Sequence, residues 1–369
     1  MKILLSYSKF HFDPDKTDEN KYKNSSAAIN ARTLYNVLKS FGDVDYIDFS
    51  EWEKIRGQSY DLFVGINHNF DKILKYCYIK KSVYYAVNQY PKVRNMIIRK
   101  FNNHRRIVNF FHHFKLFLYG ILKKSWRASY KYEYAPVVES ILSADAIICL
   151  GNDVVKKSYI DYGYPEDKFF IINYDLLMGC ATPKTKFHKP IRILYVATEL
   201  CLRKGTDILY DLFIKLAQHS KLDYRLTIVG GGGCGRQYTY LINKLAKKSA
   251  GKVSYLGPLF GQKYTEILKA NDFYFFPSIE EGQAGTVLDA MYNGLIPLIT
   301  KESGVDFSPL GFLEPRMKSK KNMTILKSIF DLSDEEKRKL STQTAQYYND
   351  KHLGFKERLK NILTIIIKQ

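Results

Sequence analysis

Phe276-Pro-Ser-Ile-Glu-Glu-Gly-Gln-Ala-Gly-Thr-Val-Leu-Asp289 is the stretch on which the fold turns. An apolar strand stops at Pro277. Two carboxylates follow at Glu280 and Glu281, then a Gly-x-x-Gly-Thr turn that opens a helix. The first N–H groups of a helix have no partner inside it, and such groups bind phosphate. Gly282 and Gly285 let a ligand come close to the backbone. A carboxylate just ahead of a phosphate site accepts hydrogen bonds from sugar hydroxyls. Asp289 lies one turn along from Gly285 and can face the same pocket. On physics alone the stretch suits equally a strand, a tight turn and a helix with an acidic N-terminus and no ligand.

Further upstream, Ala197-Thr-Glu-Leu-Cys-Leu-Arg-Lys-Gly-Thr206 is a second strand-to-helix turn. Arg203 and Lys204 put two cations at its strand end, suited to a diphosphate; alone, the pair also reads as an ordinary solvated loop. Gly230-Gly-Gly-Gly233 is a flexible turn that either admits a ligand or only turns the chain. No Gly-Lys-Ser/Thr follows it, so it is not a P-loop. Gly251-Lys252 stands where a Rossmann ribose acid would be.

The alternation of short apolar runs with helical patterns extends over the whole chain. Strands are expected at Lys2–Ser6, Val44–Ile47, Leu62–Ile66, Val83–Val87 and Ala146–Leu150, with helices at Ser25–Phe41, Tyr134–Leu142 and Asp153–Tyr162. Gly179–Pro190 breaks the pattern. It resumes with strands at Ile191–Ala197, Arg225–Val229, Val253–Leu256, Asp272–Phe276 and Ile296–Thr300. Helices between them are expected at Gly205–Gln218, Gln237–Ser249, Tyr264–Lys269 and Gly285–Asn293, and Ser333-Asp-Glu-Glu336 is a capping box. Strands alternating with helices imply parallel sheets. The expectation is α/β: two Rossmann-like, doubly wound domains, 1–178 and 191–345, joined by a linker at 179–190. Residues 346–369 form a C-terminal helix that packs back on the N-terminal domain. Ligands would bind at the strand C-termini, in a deep cleft between the domains.

Composition narrows the class. The chain has 369 residues, 46% of them hydrophobic and 25% charged, as in a globular protein. Five scattered cysteines without a C-x-x-C pair argue against a disulfide scaffold or a zinc module and fit a reducing compartment. The opening apolar run is too short for a signal peptide, and no run of about 18 apolar residues occurs. A cytoplasmic protein, peripheral on the inner face of a membrane, is expected.

Taken in order from about Ala144 to Asp306, these motifs resemble the donor half of a retaining glycosyltransferase of family 4, with the GT-B fold, of the kind that builds bacterial surface polysaccharides. The resemblance rests on Asp145-Ala-Ile-Ile-Cys-Leu-Gly151, Tyr162-Gly-Tyr-Pro-Glu-Asp-Lys168, Ile193-Leu-Tyr-Val-Ala197, Arg203-Lys-Gly205, Glu281 through Met291, Gly294-Leu-Ile-Pro297 and Glu302-Ser-Gly-Val-Asp306. It implies that Glu281 binds donor-sugar hydroxyls and Asp289 the ribose. Arg203 and Lys204 would stabilise the departing diphosphate, helped by backbone N–H groups near Gly285 and Thr286. Residues near Gly257, Leu259 and Phe260 would flank the base, and Gly231, Gly282, Gln283 and Ala284 would also bind the donor. Two departures stand out. Asp289 replaces the usual Glu, one methylene shorter. The family's N-domain His is absent after Val83–Val87, leaving His68 as the nearest candidate. No metal or cofactor is expected, because the two cations supply the charge.

The net charge of +20 is concentrated. Residues 72–132 hold 15 Lys/Arg and no acid, leaving 42 basic and 37 acidic residues elsewhere. Phe110, Phe114, Phe117 and Ile121 recur at helical spacing there, interleaved with Lys115, Lys123, Lys124 and Arg127. Such a helix can lie in a membrane interface, which makes Arg105, Arg106, Lys115, Lys123, Lys124 and Arg127 candidates for the acceptor and membrane surface. A core helix with a solvated basic face is the competing reading. No nucleic-acid reader motif is present, so no nucleic-acid partner is expected. The expected partners are a nucleotide sugar, a glycan or glycolipid acceptor and an anionic membrane. The alternative is a non-catalytic sugar-nucleotide-binding or polyanion-binding protein of the same fold.

Overall fold

A computed structural model describes residues 1–8, 26–66, 69–108, 118, 135–175, 179–218, 222–231 and 236–369. In chain order the first elements are β1 (Lys2–Tyr7), α1 (Ser26–Lys39), β2 (Asp43–Asp48), β3 (Ser59–Gly65), α2 (Phe70–Tyr76), β4 (Tyr78–Ala86) and α3 (Pro91–Val108). Next come β5 (Ala146–Leu150), α4 (Asp153–Ile160), β6 (Phe169–Ile172), β7 (Ile191–Glu199), α5 (Thr206–Leu216), β8 (Tyr224–Gly231) and α6 (Arg236–Lys248). The last are β9 (Val253–Tyr255), α7 (Gly261–Lys269), β10 (Phe273–Phe276), α8 (Gly285–Tyr292), β11 (Ile296–Ile299), α9 (Lys320–Ser328), α10 (Asp334–His352) and α11 (Phe355–Lys368).

The chain forms two compact units. The first takes the described residues of 1–91, 136–178 and 352–369, and the second those of 92–135 and 179–351. Helix α3, apart from Pro91, therefore goes with the second unit and not with the first, where the sequence reading put it.

In the first unit six parallel strands lie in the order β2-β1-β3-β4-β5-β6. Ile3–Leu5, Leu62–Val64 and Val83–Ala86 of the inner strands are buried on both faces, as a sheet covered by helices requires; β5 is buried throughout. Its neighbour β6, four residues long, was not anticipated. Of the helix expected at Tyr134–Leu142, the described residues 135–138 have no regular structure and a short 3-10 turn follows at Glu139–Ser143. Pro136 disfavours a helical Ala135, so no helix runs through it from upstream. Residues 346–369 are the end of α10 and the whole of α11, broken at Gly354 with φ of 76°; α11 packs on α1 and β6.

In the second unit five parallel strands lie in the order β11-β10-β7-β8-β9. All four residues of β10 are fully buried, as are Ile193, Leu194 and Tyr195 of β7. The chain winds outward from β7 through β8 and β9, then returns to β7's other side with β10 and β11. The strand order thus reverses between β7 and β10, and their C-terminal ends are where an open α/β sheet binds its ligand. The Ser333 capping box forms as expected: Ser333 N donates to Glu336 Oε2 at 2.7 Å, and Glu336 N donates to Ser333 Oγ at 3.2 Å. Among the described residues no helix is long and apolar enough to cross a membrane.

Candidate active site

The turn after β7 and the loop after β10 are bonded together at the reversal point. Ile279 N and Ser278 Oγ each donate to Arg203 O at 2.9 Å, and Arg203 Nη1 donates to Glu280 O at 3.2 Å. Tyr195 Oη donates to Lys204 O at 3.0 Å from beneath. Gly205 makes this approach possible: its φ is 71°, and a Cβ there would sit 2.0 Å from Pro277 O. The backbone of the two loops can meet only where one residue lacks a side chain.

That meeting brings the sequence-predicted residues together. Lys204 Nζ lies 2.5 Å from Glu281 Oε1, and Arg203 Nη1 lies 3.0 Å from Glu281 Oε2. Ser278 Oγ lies 3.3 Å from Glu281 Oε1. The Glu281 side chain is only 8% exposed. Burial alone would raise its carboxyl, but Arg203 and Lys204 overcome that and hold it below the usual carboxylate range. Burial works against the charge on Arg203, yet Glu281 and Glu280 raise its pKa. Both groups therefore stay ionised at neutral pH.

Glu281 leads into α8, whose first turn has no side-chain cap. The entry is held from behind: Ala284 N donates to Ser303 O at 2.9 Å, and Gly304 packs so closely that a Cβ would lie 1.5 Å from Gly282 O. Gln283 is buried and reaches Gly304 O at 3.5 Å. One turn into α8, Asp289 accepts a 2.9 Å hydrogen bond from Tyr264 Oη. Desolvation raises the Asp289 carboxyl to about 7, against the lowering effect of that bond. Gly230 N donates to Gly257 O at 2.9 Å, and Leu200 N donates to Gly231 O at 2.8 Å. Gly231 and Gly257, two of the residues expected at the donor, thus lie at the same strand ends; Leu259 is half-buried and Phe260 exposed.

Two further residues enter that the sequence reading did not assign. Glu280 is fully buried, with its Oε2 lying 3.6 Å from Arg203 Nη1 and 3.5 Å from Arg94 Nε on α3. Arg105, read as a membrane-facing cation, requires correction. It is buried, with Nη1 3.3 Å from Asp207 Oδ2 and 3.1 Å from Tyr238 Oη, and Nη2 2.8 Å from Asn102 Oδ1. A charge so desolvated must be paired, and Asp207 in the first turn of α5 pairs it. The signal was available: residues 94, 98, 101 and 105 share one helix face, and Ile98 and Phe101 are its buried apolar members. His68 and the side chains of Arg106, Lys115, Lys123, Lys124 and Arg127 lie outside the described residues.

Residues 190–308, which carry this site, match the family model described as glycosyl transferases group 1. Several solved structures superpose on the chain. Sucrose-phosphate synthase from Thermosynechococcus elongatus is 14% identical, with a TM-score of 0.62 over 100% of this chain and 98% of that one. WaaG, a glycosyltransferase involved in lipopolysaccharide biosynthesis, is 14% identical, with a TM-score of 0.58 over 99% and 100%. A mutant of S. aureus TarM in complex with Fondaparinux, alpha-GlcNAc-glycerol and UDP is 11% identical, with a TM-score of 0.54 over 93% of this chain. The fold is GT-B. The chain spans 59% of the length of TarM. No curated protein matches the sequence.

Proposed function

We propose that the chain is a glycosyltransferase that moves a sugar, with retention, from a nucleotide-sugar donor to a lipid-linked or surface-glycan acceptor (lipopolysaccharide, capsule or exopolysaccharide) at the cytosolic face of a membrane. One observation carries this reading. Arg203 and Lys204 converge on Glu281 at the uncapped start of α8, inside the segment that matches the group 1 glycosyl transferases. Cations beside free helix N–H groups suit a diphosphate, and the carboxylate between them suits sugar hydroxyls. The UDP bound to TarM supports the donor class, and WaaG's involvement in lipopolysaccharide biosynthesis supports the acceptor class.

In this reading the bond from the anomeric carbon to the phosphate oxygen breaks, and its electron pair goes to the leaving diphosphate. The acceptor oxygen bonds the anomeric carbon on the same face, and its proton passes to the departing phosphate oxygen. No protein nucleophile takes part. Arg203, Lys204 and the N–H groups of Gly285 and Thr286 stabilise the charge on the leaving group, so catalysis rests on positioning and electrostatics. The same two cations make a metal unnecessary in principle. Asp289 takes the ribose hydroxyls. For the membrane, the outward face of α3 offers Met96 and Ile107, 59% and 81% exposed, beside exposed Arg99 and Lys100; basic residues next to apolar ones favour an anionic interface.

A thermal-shift screen of the purified protein against nucleotide sugars should find a donor that raises its melting temperature. Glu281→Ala should then abolish transfer from that donor while the fold persists. Undiminished transfer would remove Glu281 from the site.

A further inference from the structure

We infer that Arg94 is a positioning residue of the donor site, acting through Glu280 to keep Arg203 available for the donor diphosphate. The inference rests on the donor-site reading above. Glu280 and Glu281 set two carboxylates against Arg203 and Lys204, which by themselves sum to no net charge. A dianionic diphosphate arriving there would meet carboxylates already paired with both cations. Arg94 changes that balance. Its Nε lies 3.5 Å from Glu280 Oε2, the same oxygen that Arg203 Nη1 approaches at 3.6 Å. Glu280 is fully buried, so solvent does not screen this competition. With Arg94 in place, Glu280 divides its attraction between two guanidinium groups, and the group of five charges sums to +1.

Arg94 is fixed in place by its own helix. Three turns along the same face of α3, Arg105 pairs with Asp207 at 3.3 Å. Asp207 opens α5, the helix that directly follows Arg203 and Lys204. Helix α3 thus holds the two-cation turn at two points, through Glu280, which contacts Arg203 from the loop after β10, and through Asp207, which follows Lys204 in the chain.

Calorimetric titration of the full chain with UDP, GDP and ADP, and with the corresponding nucleosides, tests the inference. Arg94→Gln should weaken the diphosphate that the wild type binds by about tenfold and leave its nucleoside unaffected. Arg94→Lys should retain most of the affinity. The double variant Arg94→Gln with Glu280→Gln should regain it, because the carboxylate that competes for Arg203 is gone; a purely packing role for Arg94 would not be rescued in this way. Unchanged affinity in Arg94→Gln, or no recovery in the double variant, overturns the inference alone. Failure of the wild type to bind any of the three diphosphates overturns both it and the donor-site reading.

Discussion

Replacing Glu281 by Gln should destabilise the free protein and tighten its grip on a bare nucleoside diphosphate, while sugar transfer collapses. Glu281 lies 2.5 Å from Lys204 Nζ and 3.0 Å from Arg203 Nη1 and is almost fully buried. At about 3 Å and an effective dielectric near ~20, each attraction is roughly 5 kcal/mol before desolvation is counted. Removing one partner of such a buried arrangement typically costs about 3–5 kcal/mol, mostly because the remaining charges stay buried without compensation. A diphosphate can supply that compensation. If it recovers about a third of the loss, affinity rises about tenfold, since roughly 1.4 kcal/mol is one decade. The measurement is paired: melting temperature and diphosphate affinity for the wild type and Glu281→Gln, then transfer from the complete nucleotide sugar. The amide keeps the shape of the side chain but not its charge, so the fold should survive. An unchanged or weaker diphosphate affinity in the variant would refute the reasoning, because it would mean that the carboxylate does not compete with phosphate for the two cations.

Two other outcomes follow from the same geometry. Gly205→Ala should lower stability by about 1–2 kcal/mol from its left-handed backbone alone, and further because the new Cβ meets Pro277 O at 2.0 Å; diphosphate affinity should fall with it, since the turn carrying Arg203 and Lys204 must move, and calorimetry on the folded variant checks this. Asp289 titrates near pH 7 in the folded chain and near 4 when unfolded. The folded state therefore binds an extra proton between those values, and the contribution of Asp289 to stability is greatest below about pH 4 and lost as pH rises through 7. The difference in denaturant midpoint between the wild type and Asp289→Asn, measured from pH 4 to 8, should show this fall. Nucleoside diphosphate binding should gain as Asp289 ionises, and the Asn variant, which retains the ligand's own titration, should lose that part of the pH dependence.

What the sequence disclosed follows a physical pattern. Strands buried on both faces are continuous apolar runs, so Ala146–Leu150 and Phe273–Phe276 were legible one by one. Glu281, Arg203 and Lys204 were legible because each sits where a strand ends and a helix begins, and that position needs no tertiary knowledge. Arg94 was not legible. It is nearly two hundred residues from Glu280 and belongs to a run of like charges that hides any single pairing. Tyr264 was missed for a simpler reason: no local pattern says which tyrosine will donate to Asp289. The helix expected at Tyr134–Leu142 gives way, over the described residues 135–142, to irregular chain and a 3-10 turn; apolar spacing over so few residues does not separate the two.

The correction at Arg105 bears on the excess of positive charge. A count of side chains treats every Lys and Arg as field-producing, but Arg94 and Arg105 face inward on α3 and are matched by Glu280 and Asp207. Their charge is spent inside the second unit, holding the Arg203–Lys204 turn, and contributes little to attraction of a distant polyanion. The opposite face of the same helix carries Arg99 and Lys100 with Met96 and Ile107, all exposed. One helix thus serves two ends. Its inner cations tune the site that suits a phosphorylated donor, and its outer cations, flanked by apolar side chains, suit an anionic interface. The two roles separate by helix face, so substitutions at 99 and 100 act on surface binding without disturbing the pairs at 94 and 105.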